Sequence, residues 1–136
     1  MTEKVTRFSK DKKHIDNAKK RLKPDAFWNK KRPHEISVVD IDEKIKLANS
    51  KDVIFSIGDL IYKSIGKLAV ARGDMARTAI ESITCGPLAD NLLLENSHRP
   101  DIPGHYNIRV DCNLPDLIVK TNIASRLSHI SVLDVR

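Results

Sequence analysis

Short strand-like runs alternate with segments of helical periodicity along this chain, and that alternation limits the folds that it can adopt. Alternating and β-branched residues in HEISVVDID, LLLE and YNIRVDC predict strands. Apolar residues three and four positions apart predict helices over residues 53–68, 75–85 and 115–130, and the ending ISVLDV predicts a last strand. Because the spacings follow no regular βαβ repeat, the sequence predicts a small α+β domain.

A few boundary residues support these predicted helices. Asp74 is expected to cap the second helix and Gly86-Pro87 to end it, and Pro115 is expected to begin the third. Gly58 and Gly66 weaken the first helix, by about 1 kcal/mol each relative to alanine.

Positive charge is concentrated in the first quarter of the sequence. Residues 1–34 contain 12 of the 24 Lys and Arg residues and four of the 18 Asp and Glu residues, which gives this quarter +8 while the whole chain carries +6. A cluster of cations raises the affinity for phosphates through counterion release, so nucleic acid is the first polyanion to consider. An acidic protein or anionic lipid is the alternative partner, and a solvated terminus that binds nothing is the simplest explanation.

We expect residues 1–34 to form a basic arm and residues 35–136 to form the compact α+β domain. The spacing of apolar residues in SKDKKHIDNAKKRLKP predicts one short amphipathic helix in the arm, capped by Ser9. Its narrow apolar face, which includes Ile15 and Leu22, is expected to dock weakly on the domain while the lysines stay in water.

Phe27 and Trp28 follow the predicted helix, and two roles are open to them. They could stack on unpaired bases while neighbouring cations hold phosphates, as in sequence-tolerant single-strand binding. Aromatic residues make up only 4% of the chain, so we favour the other role, in which the pair anchors the arm to an aliphatic core. The residues expected to contact nucleic acid are Lys12, Lys13, Lys19, Lys20, Arg21, Trp28, Lys30, Lys31, Arg32 and, as a secondary contact, Arg109.

The loop HRPDIPGH places His98 and His105 seven positions apart, with Arg99 beside the first. Two imidazoles with an ordinary pKa near 6.5 could serve as base and acid in RNA cleavage. No repeated H-x-T or H-x-S pattern supports that chemistry, and the simpler interpretation is a rigid Pro-Gly turn with His105 hydrogen-bonded to it. His98 and His105 are therefore weak catalytic candidates.

Metal, cofactor and membrane functions have little support in the sequence. Cys85, His98, His105 and Cys112 are zinc-ligand types, but they lack the close pairs that zinc sites use, so no metal is expected. No glycine motif for phosphates or dinucleotides is present, so no cofactor is expected. No apolar stretch is long enough to span a bilayer or to resemble a secretory signal, which predicts a cytoplasmic protein without a membrane partner.

The sequence as a whole predicts a small cytoplasmic protein that binds RNA or DNA through its basic arm and has no catalysis of its own. The first alternative is a histidine-dependent nuclease or nucleotide-modifying enzyme centred on His98 and His105. The second is a structural subunit that docks an acidic protein partner. Assembly into a homo-oligomer is compatible with each of these.

Overall fold

A computed structural model of the chain describes residues 3–28, 35–41, 50–84, 91–97, 99–102, 104–110 and 116–136. The strands are β1 (Lys4–Ser9), β2 (Ile15–Asp16), β3 (Arg21–Leu22), β4 (Glu35–Val39), β5 (Ala71–Ala76), β6 (Leu93–Asn96), β7 (His105–Arg109) and β8 (Val132–Val135). The helices are α1 (Lys51–Tyr62), α2 (Arg77–Glu81), α3 (Asp116–Ile118) and α4 (Ala124–Ile130), with a π-helical turn at Val119–Ile123 and 3-10 turns at Lys12–His14, Pro24–Phe27 and Lys63–Ile65. The protein is therefore of the α+β class, as the sequence predicted.

An antiparallel sheet of six strands organises the fold, in the order β6-β7-β4-β1-β5-β8. The interior strand β1 pairs with β5 over its whole length and with β4 on its other side. The strands β2 and β3 form a separate hairpin. The strands predicted in HEISVVDID, LLLE, YNIRVDC and ISVLDV are confirmed by β4, β6, β7 and β8.

Two apolar clusters cover the two faces of the sheet. Successive residues of a strand point to opposite faces, so Val5 and Phe8 of β1 enter different clusters. Val5 belongs to the larger one, to which the hairpin, the turn Pro24–Phe27, α2 and α4 contribute. Phe8 belongs to the smaller one beneath α1, where its ring meets the Phe55 ring edge to face with 6.1 Å between centroids.

Residues 3–28 are an integral part of this fold, so the expectation of a peripheral basic arm is wrong. The segment supplies the interior strand β1, and its side chains Leu22 and Phe27 are 0% and 1% exposed in the larger cluster. Phe27 thus has the anchoring role that we favoured. The helix predicted after Ser9 is also wrong, because Ile15 pairs with Leu22 across the β2–β3 hairpin.

Two predicted helices are shorter in the structure. Asp74 lies within β5, where it accepts a hydrogen bond from the Thr6 hydroxyl of β1. It therefore caps no helix, and α2 begins three residues later at Arg77. The first helix ends at Tyr62, and Gly66 closes the following 3-10 turn with a left-handed φ of 66°.

The predicted C-terminal helix is confirmed over residues 116–130 by α3, the π-helical turn and α4. Pro115 and Gly86-Pro87, which we expected at helix ends, lie outside the described residues. Among the helices of the described part of the chain, none has both the length and the apolar character needed to cross a bilayer.

Candidate nucleic-acid interface

The basic segment comprises residues 10–23, which form the 3-10 turn Lys12–His14 and the β2–β3 hairpin. Its seven cations are Lys10, Lys12, Lys13, Lys19, Lys20, Arg21 and Lys23. Within the described residues, none of the seven forms an ion pair with a carboxylate. Seven cations elsewhere do form such pairs, namely Lys4, Lys51, Arg72, Arg77, Arg99, Arg109 and Arg136. Asp11 and Asp16 lie in the same segment, which therefore keeps a net charge of +5.

The hairpin, which carries Lys19, Lys20 and Arg21, is fixed to the rest of the fold. The Leu22 amide donates to the Ser131 hydroxyl at 3.3 Å, and the Leu133 amide of β8 donates to the Lys20 carbonyl at 3.0 Å. The absence of a side chain at Gly73 makes room for this packing, since a Cβ there would lie 2.9 Å from Cδ1 of Leu22. The cations are thus held on a scaffold instead of on a free tail.

Lys20 has an uncommon backbone conformation at the end of the hairpin turn. Its φ of 52° is left-handed, a conformation that costs a residue with a Cβ roughly 1–2 kcal/mol. The other end of the turn is stabilised by the Asp16 carboxylate, which accepts from the Lys19 amide at 3.1 Å. Local strain is a reason to look for a function, and the side chain at this position is a cation.

A pocket of about 220 Å³ opens beside the start of the basic segment. Its polar and aromatic lining comes from Arg7, Lys10, His14, Asp25, Trp28 and Tyr62, and we refer to it as the Trp28 pocket. The Trp28 ring is half-buried, since it packs against the larger apolar cluster and also lines the pocket. One aromatic side chain therefore both anchors the segment and borders an open site.

Arg7 places a positive charge in the wall of the Trp28 pocket. Its Nε donates to the Ala26 carbonyl at 2.8 Å, and its Nη1 donates to the Ser37 carbonyl at 2.8 Å. Burial lowers the pKa of Arg7, yet an arginine keeps its proton at neutral pH. Because backbone carbonyls hold the group and no described carboxylate pairs with it, the guanidinium is oriented and can still attract an anion.

Two other groups in the pocket favour their neutral forms. The His14 Nδ1 lies 2.8 Å from the Ser9 hydroxyl, and burial lowers the pKa of His14. The Tyr62 hydroxyl donates to the Phe8 carbonyl at 2.7 Å, and burial raises the pKa of Tyr62. The charged lining then consists of Arg7, Lys10 and one carboxylate, that of Asp25, beside a neutral aromatic wall. This arrangement can hold a base against the tryptophan and a phosphate near the two cations.

Arg109, the secondary contact expected at a nucleic-acid interface, is not brought to this surface. Arg109 forms an ion pair with Glu95 at 3.3 Å. Its neighbour Ile108 faces the larger apolar cluster, so strand alternation puts Arg109 on the face of the sheet opposite the hairpin. Lys30, Lys31 and Arg32 lie outside the described residues.

His105 is enclosed by protein. Its side chain is 4% exposed, its Nδ1 is hydrogen-bonded to the Ser97 hydroxyl, and its Nε2 has no partner among the described residues. Burial, with a smaller effect of Arg99, lowers the pKa of His105 to about 4, so the ring is neutral at pH 7. A polynucleotide outside the protein would not reach this ring. His98 lies outside the described residues.

The turn before His105 has a defined geometry. Gly104 adopts a φ of 72°, and its carbonyl accepts from the Asp40 amide at 2.7 Å. Of the four residues considered as zinc ligands, only His105 is described, and the described residues contain no group of three side chains able to hold a metal.

Sequence reasoning missed Arg7, His14 and Tyr62, which come from β1, a 3-10 turn and the end of α1. The β-branched pair Val5 and Thr6 was a local signal for β1. No local signal indicates that α1 ends beside Trp28.

No protein-family model, curated protein or solved structure matches this chain. The protein is thus defined by its fold and its surface, as an α+β protein with a six-stranded antiparallel sheet, a fixed basic hairpin and a tryptophan-bordered pocket.

Proposed function

We propose that this protein binds single-stranded nucleic acid, RNA or DNA, through the basic segment and the Trp28 pocket, without catalysing a reaction. One observation carries the proposal: the basic segment has seven cations without an ion-pair partner among the described residues, and its first cation, Lys10, lines a pocket together with the half-buried Trp28. Unpaired cations release counterions when they meet phosphates, and an aromatic ring can stack on any base. A cytoplasmic location is part of the same proposal.

The tryptophan favours a single strand over a duplex. Trp28 lines a recess instead of projecting from a helix or strand that could enter a groove. A base can enter such a recess only when it is unpaired, whereas a duplex keeps its bases stacked on one another. We therefore expect duplex DNA to bind through its phosphates alone, with lower affinity.

The first test compares two triple variants that remove the same formal charge. In one, Lys13, Lys19 and Lys20 of the basic segment become glutamine, and in the other Lys4, Lys51 and Arg99, each paired with a carboxylate, become glutamine. The assay is fluorescence anisotropy with a labelled single-stranded RNA at about 50 and 200 mM salt. The dependence of log affinity on log salt should weaken by about 0.7 for each phosphate that the first variant no longer neutralises. Equal behaviour of the two variants would refute the proposed interface.

The second test uses Trp28, which is the one tryptophan in the chain and therefore a built-in fluorescent probe. Stacking on a base should quench its emission as a single strand is added. Trp28→Phe keeps an aromatic face, and Trp28→Leu keeps only apolar volume. We expect Trp28→Leu to bind about tenfold more weakly, since stacking contributes roughly 1–3 kcal/mol per base. Unchanged emission at saturation would show that the pocket takes no base.

A further inference from the structure

A second pocket, of about 490 Å³, lies between β3 and α4. It is lined by Arg21, Ile83, Ser125, Arg126, His129 and Ile130. The lining thus combines three nitrogen-rich side chains with two isoleucines and one hydroxyl. A pocket of this size accommodates a ligand as large as a nucleotide.

No carboxylate lines this pocket within the described residues, and its two guanidinium groups have only neutral partners. Arg21 Nη1 lies 2.9 Å from His129 Nδ1. Arg126 Nη1 donates to the Thr84 carbonyl at 2.9 Å. Each guanidinium has five N–H donors, so most of them remain available. The pocket therefore holds two permanent positive charges, and neither forms an ion pair with a described carboxylate, although Asp16 lies opposite Arg21 in the hairpin.

The Arg21 contact also sets the direction of one hydrogen bond to His129. An arginine N–H can only donate, so Nδ1 of His129 accepts this bond. Nε2 is then the ring nitrogen left to donate to a ligand. His129 is exposed on α4, so a ligand can approach this donor from solvent.

We propose that the pocket between β3 and α4 binds a phosphate monoester, whose organic part contacts Ile83 and Ile130. A monoester dianion matches two guanidinium charges, and its three terminal oxygens suit forked guanidinium donors together with an imidazole N–H. The apolar lining suits the sugar or base of a nucleotide better than it suits free phosphate. The pocket takes Arg21 from the basic segment, but it shares no lining residue with the Trp28 pocket, and Arg126 and His129 lie outside the segment.

The test titrates adenosine 5′-monophosphate, adenosine and inorganic phosphate separately into the isotope-labelled full chain and follows the amide signals of residues 125–130 by NMR. We expect the monophosphate to shift these signals at concentrations at least tenfold below those that adenosine or phosphate requires. Arg126→Gln should weaken monophosphate binding by about tenfold or more, because it removes a charged donor. Arg99→Gln, which removes an exposed arginine paired with Asp101, is the matched control and should have no effect.

Equal binding of adenosine and its monophosphate, or unchanged binding in Arg126→Gln, would overturn the proposal. The thermal midpoint of Arg126→Gln should match that of the wild type, because the side chain is exposed.

A 5′-phosphorylated oligonucleotide and its 5′-hydroxyl counterpart then separate two sources of the monoester. If a strand end is the source, Arg126→Gln removes the advantage of the phosphorylated oligonucleotide and leaves the 5′-hydroxyl one unchanged; if a free nucleotide is the source, the two oligonucleotides bind alike. Monophosphate binding that survives in the Lys13, Lys19 and Lys20 variant would separate this site from the proposed interface.

Discussion

The three described histidines lie in different surroundings, and these surroundings decide which of them can meet a ligand. His105 is enclosed beside Ser97, His14 is half-buried in the wall of the Trp28 pocket, and His129 is exposed on α4. The sequence drew attention to His105 because of the prolines and glycine before it. Burial makes it a structural residue, and the exposed histidine was the less conspicuous one in the sequence.

Acid should destabilise the protein through His105. Its folded-state pKa of about 4 lies below the ordinary 6.5, so the unfolded chain takes up a proton that the folded chain refuses. The stability that the neutral ring provides is complete above pH 6.5 and is lost as the pH falls toward 4, by up to about 3 kcal/mol. Urea unfolding of wild type and His105→Gln over that range should show a steeper decline in the wild type. Ser56→Ala, which removes no titratable group from an exposed position, is the control and should follow the wild type, and identical slopes in all three proteins would contradict the assignment.

Lys20→Gly separates the charge of this residue from its backbone conformation. Glycine adopts a positive φ without the Cβ penalty, so the free energy of unfolding should stay the same or rise by up to about 1 kcal/mol. The affinity for a single strand should nevertheless fall, because the variant neutralises one phosphate fewer. Lys20→Ala removes the same charge and keeps the strain, so it should be the less stable of the two. A glycine variant less stable than the alanine variant would show that the left-handed backbone of Lys20 costs the fold no stability.

At the scale of elements, the hairpin shows why the sequence misled. Ile15 and Leu22 are seven positions apart, a separation that suits two turns of a helix and also a hairpin with a four-residue turn. The lysines between them suggested a solvated helical face. The packing of Leu22 over Gly73 favours the hairpin over the helix, and this contact joins residues far apart in the chain. Local spacing could not reveal it. The strands β4 and β7 were predictable because local alternation matched their pairing in the sheet.

Gly58→Ala should destabilise the protein although alanine is the better helix former. Substitution in an ordinary helix would contribute about 1 kcal/mol of stability. Here a Cβ would lie 2.6 Å from Cδ1 of Phe8 and 2.7 Å from Cβ of Ala69, so α1 would have to move away from the sheet. We expect a net loss of about 1–3 kcal/mol in urea unfolding. Ser56→Ala, at an exposed position of the same helix, should change stability by less than about 0.5 kcal/mol. Greater stability of Gly58→Ala would contradict this close packing.

At the scale of the whole molecule, the fold brings together what the sequence separates. The Trp28 pocket joins Arg7 of β1, Trp28 and Tyr62 of α1, and the second pocket joins Arg21 of β3 to His129 of α4. The charge of the first 34 residues could be read directly from composition. The structural role of this segment could not be read from composition. Only pairing with distant strands makes Lys4–Ser9 an interior strand and fixes the hairpin of β2 and β3 to the sheet.

Residues 35–136 should not fold by themselves, because the sheet would lose its interior strand. Removal of β1 leaves the facing edges of β4 and β5 unpaired, and removal of Leu22 and Phe27 opens the larger cluster. We expect the fragment to show no cooperative unfolding in circular dichroism and poor dispersion in its amide spectrum.

The full chain with Lys13, Lys19 and Lys20 changed to glutamine should unfold as cooperatively as the wild type, since these three side chains are exposed. Cooperative unfolding of the fragment would restore the peripheral-arm hypothesis and make truncation a valid test of binding. If the fragment is unfolded, loss of nucleic-acid binding on truncation reports the loss of the fold. The contribution of the basic segment must then be measured with substitutions that remove charge and leave β1 in place.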